Sequence, residues 1–337
     1  MPCNRRQTEC HQVYLNGRGA KEEGEAKEEE DKVKTKDEIQ HILHASLEKG
    51  NMGRFLYPVD TDQFADIRKD GKVYVDKTDM VFDLVSKYRY VFLARPRRFG
   101  KSLLCNTFKA YFLGQKELFE GLKIMDLEKE WKKHPVLHFT MSGLKNCTIP
   151  EAKSALELFI SDYENLYGRN IAEETPGKRF RGLIHRAFEQ TGEKVVVILD
   201  EYDSAIMRLM YEPEQLEAMR TMLREFYQVL KDEGAYLRFV FITGVTKFSQ
   251  LSIFSELNNL YQISMLDEYS GLCGITQEEL DTTLRPCVEE YAQNLNITTE
   301  EAYALLKKNY DGYHFSANSK DVYAPFSVLR AFDGCNT

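Results

Sequence analysis

The chain has 337 residues and a net charge of −8, from 45 Lys and Arg against 53 Asp and Glu. Hydrophobic residues make up 43% and charged residues 29%, a globular composition that excludes collagen, a disulfide scaffold and disorder throughout. The acidic total does not favour a general nucleic-acid binder, although a local basic groove is compatible with it. The length suggests about two domains, at ~150 residues each.

The apolar runs and the cysteines indicate the cellular setting. Apolar runs such as residues 195–199 are far shorter than the ~20 residues that a membrane span needs. The seven cysteines are odd in number and never spaced as CxxC, which favours neither a zinc site nor a disulfide framework. The N-terminal residues are polar and lack the apolar core of a signal peptide. We therefore expect a cytoplasmic protein with reduced thiols and no membrane contact.

Residues 1–52 differ in composition from the rest of the chain. Between residues 21 and 38 there are nine acidic and five basic side chains. Such a stretch cannot bury enough apolar surface to offset the entropy lost on ordering. A short helix over residues 37–49 is compatible with the spacing of the apolar side chains there. We predict a charged, disordered tail over residues 1–52, with the folded part of the chain after it.

From Tyr57 onward, apolar runs alternate with segments of helical periodicity. Strands are predicted at residues 90–94, 136–140, 195–199, 239–243 and 260–266. Helices are predicted at residues 102–112, 151–167, 179–191 and 213–232, and the pattern beyond Gly271 is helical only, at 276–294 and 298–309. Unbroken apolar strands that alternate with helices are typical of a parallel sheet covered on both faces. The predicted fold class is α/β, with three α/β/α layers, a mainly parallel sheet and a small C-terminal helical appendage.

The loop after the first predicted strand carries a phosphate-binding pattern. Its sequence, Arg95-Pro96-Arg97-Arg98-Phe99-Gly100-Lys101-Ser102, matches GxxxxGK[ST] except that arginine stands at the first glycine position. Gly100 lets backbone amides close on a phosphate, Lys101 supplies a charge to the outer phosphates, and Ser102 offers a hydroxyl to Mg²⁺. Free N–H groups of the following helix add to the site. The predicted nucleotide-binding residues are Arg95, Pro96, Arg97, Arg98, Phe99, Gly100, Lys101, Ser102 and Leu103.

Two adjacent carboxylates, Asp200 and Glu201, follow the apolar run at residues 195–199. Ligands of open α/β folds bind at the carboxyl ends of the strands. We predict that Asp200 holds Mg²⁺ together with Ser102, and that Glu201 polarises an attacking water. The alternative is a solvated strand end that caps the next helix, and the phosphate-binding loop earlier in the chain makes it the weaker one.

Thr243 ends another apolar run, at residues 239–243, and is a third predicted catalytic residue beside Glu201 and Lys101. If the strand of Asp200 lies between this strand and a further neighbour, Thr243 could reach the γ-phosphate or the attacking water. Thr246 is a competitor for that role, and a plain turn at Thr243-Gly244 fits the sequence equally well.

Several segments in the same order resemble the AAA-ATPase-like family of bacteria and archaea. They are Tyr74-Val75-Asp76-Lys77-Thr78, the loop at residues 95–102, Leu199-Asp200-Glu201-Tyr202-Asp203, Thr243-Gly244-Val245-Thr246-Lys247-Phe248-Ser249 and Leu257-Asn258-Asn259-Leu260. The resemblance runs from about Phe55 to the C-terminus, and the family uses arginine at the first glycine position of the loop. It implies an additional-strand P-loop NTPase core over residues 53–272. In such a core Lys101 and Ser102 bind the triphosphate and Mg²⁺, Asp200 the metal, and Glu201 the water.

The resemblance implies an appendage or linker over residues 273–337. Many family members continue into a PD-(D/E)XK nuclease-like domain, and we expect none here because the sequence ends soon after Pro325-Phe326-Ser327. The expected function is Mg²⁺-dependent ATP hydrolysis that drives a conformational switch. A nucleotide-binding module with little turnover and a nucleic-acid-processing factor stay open as alternatives. The expected partners are ATP and either a second copy of the chain or another protein. Nucleic acid stays open as a partner, although the net charge does not indicate it.

Overall fold

A computed structural model describes residues 55–246 and 259–334 of the chain. The strands are β1 (Tyr90–Ala94), β2 (Val136–Thr140), β3 (Val195–Asp200), β4 (Leu237–Gly244), β5 (Tyr261–Gln262), β6 (Ile275–Thr276) and β7 (Val322–Tyr323). The helices are α1 (Phe64–Lys69), α2 (Thr78–Lys87), α3 (Lys101–Phe112), α4 (Ile124–Leu127), α5 (Ile149–Tyr167), α6 (Pro176–Thr191), α7 (Ser204–Met207), α8 (Pro213–Asp232), α9 (Gln277–Asp281), α10 (Arg285–Leu295), α11 (Thr299–Tyr310) and α12 (Pro325–Gly334). The predicted tail and its short helix lie outside these residues, as do positions 247–258 of the family motifs.

Five parallel strands form the central sheet, in the order β2-β3-β4-β1-β5. Strand β4 therefore lies between β1, which leads into the phosphate-binding loop, and β3, which ends at Asp200. The pairing aligns Leu93 with Thr243 and Thr140 with Asp200, so the carboxyl ends of these strands meet at one edge. Hydrophobic clusters cover both faces of the sheet. The predicted three-layer α/β fold is confirmed.

The composition of β3 explains why it lies in the interior of the sheet, between β2 and β4. All six of its residues are buried, with Val195, Val197 and Leu199 in the hydrophobic cluster on one face. Val196 and Ile198 belong to the cluster on the other face. Burying each of these side chains contributes about 1.5–3 kcal/mol, so only a strand covered on both sides uses the whole apolar run.

The predicted strand at residues 260–266 is shorter than expected, since only Tyr261 and Gln262 pair with β1. The Ser264 side chain ends the pairing, because its Oγ accepts the bond from the Ala94 N–H at 2.8 Å that a strand carbonyl would otherwise accept. The chain then turns, with the N–H of Leu266 donating to the Ile263 carbonyl at 3.2 Å. A run of apolar letters does not reveal this substitution of a side chain for backbone.

The C-terminal helices pack around a third hydrophobic cluster, which also takes in residues 55–75 from the start of the described chain. The prediction of a single helix over residues 276–294 is wrong, because the chain forms α9 and α10 with a break before Arg285. Pro286 stands in the first turn of α10, and a proline cannot donate the backbone bond that a continuous helix needs there. The pattern beyond Gly271 is not purely helical either, since β6 and β7 form an antiparallel pair.

No helix in the described parts of the chain is long and apolar enough to cross a membrane.

Candidate functional site

The loop between β1 and α3 reaches the helix through two residues in the left-handed region. Gly100, directly before α3, has φ 85°, and Arg98 has φ 65°. A Cβ at Gly100 would meet nothing within 4 Å, so the backbone conformation rather than lack of space favours glycine there. The loop thereby turns sharply onto the N-terminus of α3, whose first N–H groups lack partners within the helix.

Lys101 is buried and folded back on its own loop. Its Nζ donates to the carbonyl oxygens of Arg95 at 3.1 Å and Pro96 at 2.9 Å. Burial lowers the pKa of Lys101, and the nearby carboxylates Asp200 and Glu201 act in the opposite direction. The loop carbonyls thus hold the Lys101 ammonium in a position where a bound phosphate would compete with them for it.

Ser102 and Asp200 meet across the edge of the sheet. Ser102 Oγ donates to Asp200 Oδ2 at 2.6 Å, and the Glu201 N–H donates to Asp200 Oδ1 at 2.9 Å. Burial raises the pKa of Asp200, while the bond from Ser102 lowers it. The predicted metal pair is therefore brought together, at the start of α3 and the end of β3.

The Ser102 and Asp200 oxygens suit a magnesium ion that is bound with a nucleotide. In the described residues, no group of three or more His, Cys, Asp or Glu side chains is placed to hold a metal ion. Mg²⁺ is usually held by one or two protein oxygens together with substrate phosphates and waters, rather than by an all-protein cage. A hydroxyl and a carboxylate in contact fit that pattern.

Glu201 leaves the sheet edge in an uncommon backbone conformation. Its φ is 54°, which is rare for a residue with a side chain, and such strain is concentrated at functional sites. The carboxylate is half-buried, and Oε2 accepts a hydrogen bond from Ser204 Oγ at 3.0 Å. The adjacent carboxylates in the sequence indicated the residue, whereas its conformation could not be read from them.

Thr243 is fully buried, and its hydroxyl donates to the Leu93 carbonyl at 2.7 Å. This bond joins β4 to β1 beside the start of the loop. The competitor Thr246 has its Oγ1 at 2.9 Å from Met207 Sδ. The catalytic role of Thr243 stays a prediction, since its hydroxyl is engaged within the sheet.

Asp203 is a residue of this edge that the sequence reasoning did not assign. Its Oδ2 accepts hydrogen bonds from the backbone N–H groups of Val245 at 3.0 Å and Thr246 at 2.6 Å. A Cβ on Gly244 would lie 2.6 Å from Asp203 Oδ1 and from the Tyr202 ring. Asp203 thus fixes the chain after β4 against the chain after β3. Its partners are more than 40 positions away and are backbone groups, so no sequence spacing indicated them.

A cavity of about 280 Å³ adjoins the Ser102 and Asp200 pair, and Asp62, Lys109 and His138 lie on its walls. Burial lowers the pKa of His138 to about 4, so the imidazole is neutral at pH 7. Its Nε2 is buried and makes no hydrogen bond within the described part of the chain. No motif in the sequence singles out His138, so the sequence did not predict it.

The other predicted nucleotide-binding residues are placed differently from Gly100, Lys101 and Ser102. Arg97 is exposed, and Leu103 packs at the edge of a hydrophobic cluster. The Arg95 guanidinium is buried and lies over the Phe315 ring, and that of Arg98 lies over the Phe326 ring. Phe99 is buried against further aromatic rings from the C-terminal part of the chain, and Pro96 contributes its carbonyl to Lys101. We call residues 95–99 the first half of the loop and residues 100–102 the second half. Lys101 and Ser102 of the second half lie beside Asp200. The side chains of Arg95, Arg98 and Phe99 in the first half contact the C-terminal segment.

Residues 58–254 match the AAA-ATPase-like family, described as Predicted AAA-ATPase. The chain belongs to this family. The matched region contains the phosphate-binding loop and strands β1 to β4. The chain is also 37% identical over 284 residues to an "Uncharacterized protein in vnfD 5'region" of Azotobacter chroococcum mcd 1. That match covers 83% of this chain and 52% of the relative, so the chain spans about half the relative's length. Family membership implies nucleotide binding and hydrolysis.

Proposed function

We propose that the chain binds ATP with Mg²⁺ at residues 95–103 and hydrolyses it. The observation that carries the proposal is the 2.6 Å bond between Ser102 Oγ and Asp200 Oδ2. It joins the first turn of the loop helix to the end of β3, with β4 inserted between the two strands, in a chain whose family implies an ATPase. Phosphoryl transfer depends on positioning and on charge stabilisation, which these groups supply.

Each residue of the site has a proposed role. Lys101 moves its ammonium from the loop carbonyls to the outer phosphates, and the N–H groups at the start of α3 bind the remaining phosphate oxygens. Ser102 and Asp200 hold Mg²⁺, which, when bound, neutralises charge on the phosphates. Glu201 orients and polarises the attacking water, and Thr243 assists when its hydroxyl exchanges the Leu93 carbonyl for the water or the γ-phosphate.

The proposed result of turnover is a conformational switch. Lys101 stabilises the loop in one conformation through the carbonyls of Arg95 and Pro96, and a bound phosphate would remove those bonds. The helical appendage, a second copy of the chain or another protein would respond to that change in the cytoplasm. A module that binds ATP with little turnover is a second candidate, because Glu201 and Thr243 already have hydrogen-bond partners within the protein.

Phosphate release from ATP by the purified chain, with Mg²⁺ and with or without DNA, tests the proposal. The wild type should release phosphate, whereas Glu201→Gln should bind ATP normally and lose at least ~100-fold in release, since it keeps the shape but not the base. Tight binding without release by the wild type would support the low-turnover module instead. Release that rises strongly with DNA would favour nucleic-acid processing. Equal release by wild type and Glu201→Gln would refute the role of Glu201.

A further inference from the structure

The first half of the loop is held by aromatic residues that lie beyond the family-matched region. Phe99 is only 1% exposed and packs edge-on against Tyr313, with ring centroids 4.7 Å apart, and against Phe315 at 5.6 Å. The Arg95 guanidinium lies 3.9 Å from the centroid of the same Phe315 ring. We call Arg95, Phe99, Tyr313 and Phe315 the loop anchor. It joins the nucleotide site to a segment that the family match at residues 58–254 does not include.

Arg95 is fixed in the anchor by backbone groups from two places in the chain. Its guanidinium donates to the Ser264 carbonyl at 2.7 Å and the Tyr269 carbonyl at 3.2 Å. These bonds orient the flat cation over the Phe315 ring, which is the geometry that favours a cation–π contact. Arg95, which replaces glycine in the loop pattern, therefore has a structural role as a buried cation of fixed orientation.

The C-terminal side of the anchor is bonded both within the appendage and to the core. The Val322 N–H of β7 donates to the Tyr313 carbonyl at 3.0 Å, and Ser316 Oγ donates to Asp267. Beyond β7, the Phe326 ring of α12 lies 4.4 Å from the Arg98 guanidinium. A displacement of the loop would thus shift residues 313–326 together.

Lys101 connects the phosphate-binding half of the loop to the anchor. Its Nζ bonds to the carbonyl of Arg95, the residue whose side chain lies on Phe315. A phosphate that bonds to Lys101 would remove the bond from Lys101 to the Arg95 carbonyl and so change how Arg95 is held against Phe315. In the opposite direction, a change at Phe315 would alter the loop conformation that a phosphate meets. Such coupling between two sites is reciprocal in binding free energy.

We propose that Tyr313 and Phe315 are positioning residues of the nucleotide site, which hold the loop ready for ATP and transmit ATP binding to residues 313–326. This proposal rests on the proposed function. It adds that the nucleotide site is incomplete without the C-terminal segment, and that this segment is the element whose conformation ATP binding alters.

Equilibrium binding of ATP with Mg²⁺ to the full chain and its variants is the first test. Phe315→Ala should raise the Kd about tenfold or more with little change in kcat at saturating ATP, and Phe315→Tyr should stay within about twofold. Tyr291→Ala is the matched control, because Tyr291 is 5% exposed against 6% for Phe315 and packs on Phe332 in the same appendage. An unchanged Kd for Phe315→Ala, or an equal rise for Tyr291→Ala, would overturn the proposal.

Backbone hydrogen exchange of the wild type tests the same coupling without any substitution. Adding ATP and Mg²⁺ should slow exchange both at residues 95–103 and at residues 313–326. Slowing at the loop alone would overturn the coupling while leaving the proposed function intact. No slowing and no ATP binding by the wild type would contradict the proposed function itself, so the two failures are distinguishable.

Discussion

The phosphate-binding loop divides into an aromatic first half, residues 95–99, and a polar second half, residues 100–102, which are held by different kinds of contact. Lys101 and Ser102, in the second half, bond to loop carbonyls and to Asp200 at the sheet edge. Phe99, in the first half, is buried among aromatic rings of the C-terminal segment. Polar bonds can be exchanged for bonds to a phosphate, whereas packed rings can move only with their neighbours. The groups proposed for the chemistry therefore lie in the second half, and the packing that holds the loop lies in the first half.

The largest effect is expected at Asp200, which the polar half of the loop contacts through Ser102. Asp200→Asn keeps the size of the side chain and removes the negative charge proposed to hold Mg²⁺. Phosphate release from ATP should fall by a factor on the order of 100–1,000, as for loss of a group that stabilises transition-state charge. Release should be measured over a range of Mg²⁺ concentrations, with thermal unfolding to show that the variant is folded. Full release at ordinary Mg²⁺ would contradict the assignment of Asp200.

Gly244→Ala tests the close packing of the chain after β3 against the end of β4, which supports the sheet edge beside the polar half. Its Cβ would stand 2.6 Å from Asp203 Oδ1 and from the Tyr202 ring, so the chain after β3 or β4 must shift. Urea unfolding should show a loss of about 1–3 kcal/mol, the usual cost of overpacking. Gly334→Ala is the control, because a Cβ there meets nothing within 4 Å. Equal stability of the two variants would mean that Asp203 and Tyr202 do not hold this edge.

His138 predicts how the cavity beside the polar half responds to acid. Its pKa is lowered to about 4 in the folded chain by burial and by Lys109, with Asp62 acting in the opposite direction. The unfolded chain, with a histidine pKa near 6.5, therefore binds more protons between pH 6.5 and 4. The free energy of unfolding should fall as the pH drops from 6.5 to 4, by up to ~3 kcal/mol from this group.

Urea unfolding of wild type and His138→Gln at pH 7 and pH 4.5 measures that fall. The variant should lose less stability over the range, because glutamine does not titrate. Asp200 has the opposite effect in both proteins. A carboxyl whose pKa is raised in the folded chain increases the free energy of unfolding as the pH drops. An equal loss in wild type and variant would show that His138 is not buried in its neutral form.

The smallest effect is expected at Arg98, on the rim of the aromatic half. Its guanidinium lies over Phe326 while the side chain is exposed. Arg98→Ala should weaken ATP binding by about two- to fivefold, which matches an exposed cation–π contact. Arg98→Lys should recover part of the loss, as ammonium groups also bind aromatic faces. A loss as large as that expected for Phe315→Ala would show that Arg98 contacts the nucleotide itself.

The strands of the sheet were predictable because an unbroken apolar run of this length fits a strand that is buried on both faces. The bounds of β1 and β2 and the whole of α8 agree with the predictions. Pro286 marks the break between α9 and α10 in the sequence, where helical periodicity alone gave one helix. The two-residue strands β6 and β7 are too short to show any periodicity, and tertiary pairing alone defines them.

The site was predictable only where residue type restricts the chemistry. Lys101, Ser102 and Asp200 follow from the loop pattern and from a carboxylate at a strand end, and the structure brings them together. Asp203 acts through backbone N–H groups and Phe315 through packing. Neither contact produces a recognisable pattern in the sequence, because the partners are distant along the chain and meet only when it folds. The same holds for Arg95, whose side chain is turned away from the half of the loop that Lys101 occupies.

Equilibrium binding of ATP to the wild type and to Lys101→Ala, with Mg²⁺ present, shows whether the loop is a nucleotide site that depends on Lys101. Lys101 is the buried lysine of the loop, and the exposed Lys153 on α5 provides the control Lys153→Ala. We predict saturable binding by the wild type and by Lys153→Ala, and a Kd raised by a factor on the order of 50 or more in Lys101→Ala. Wild-type chain that does not bind ATP, or Lys101→Ala that binds as tightly as wild type, would contradict this prediction.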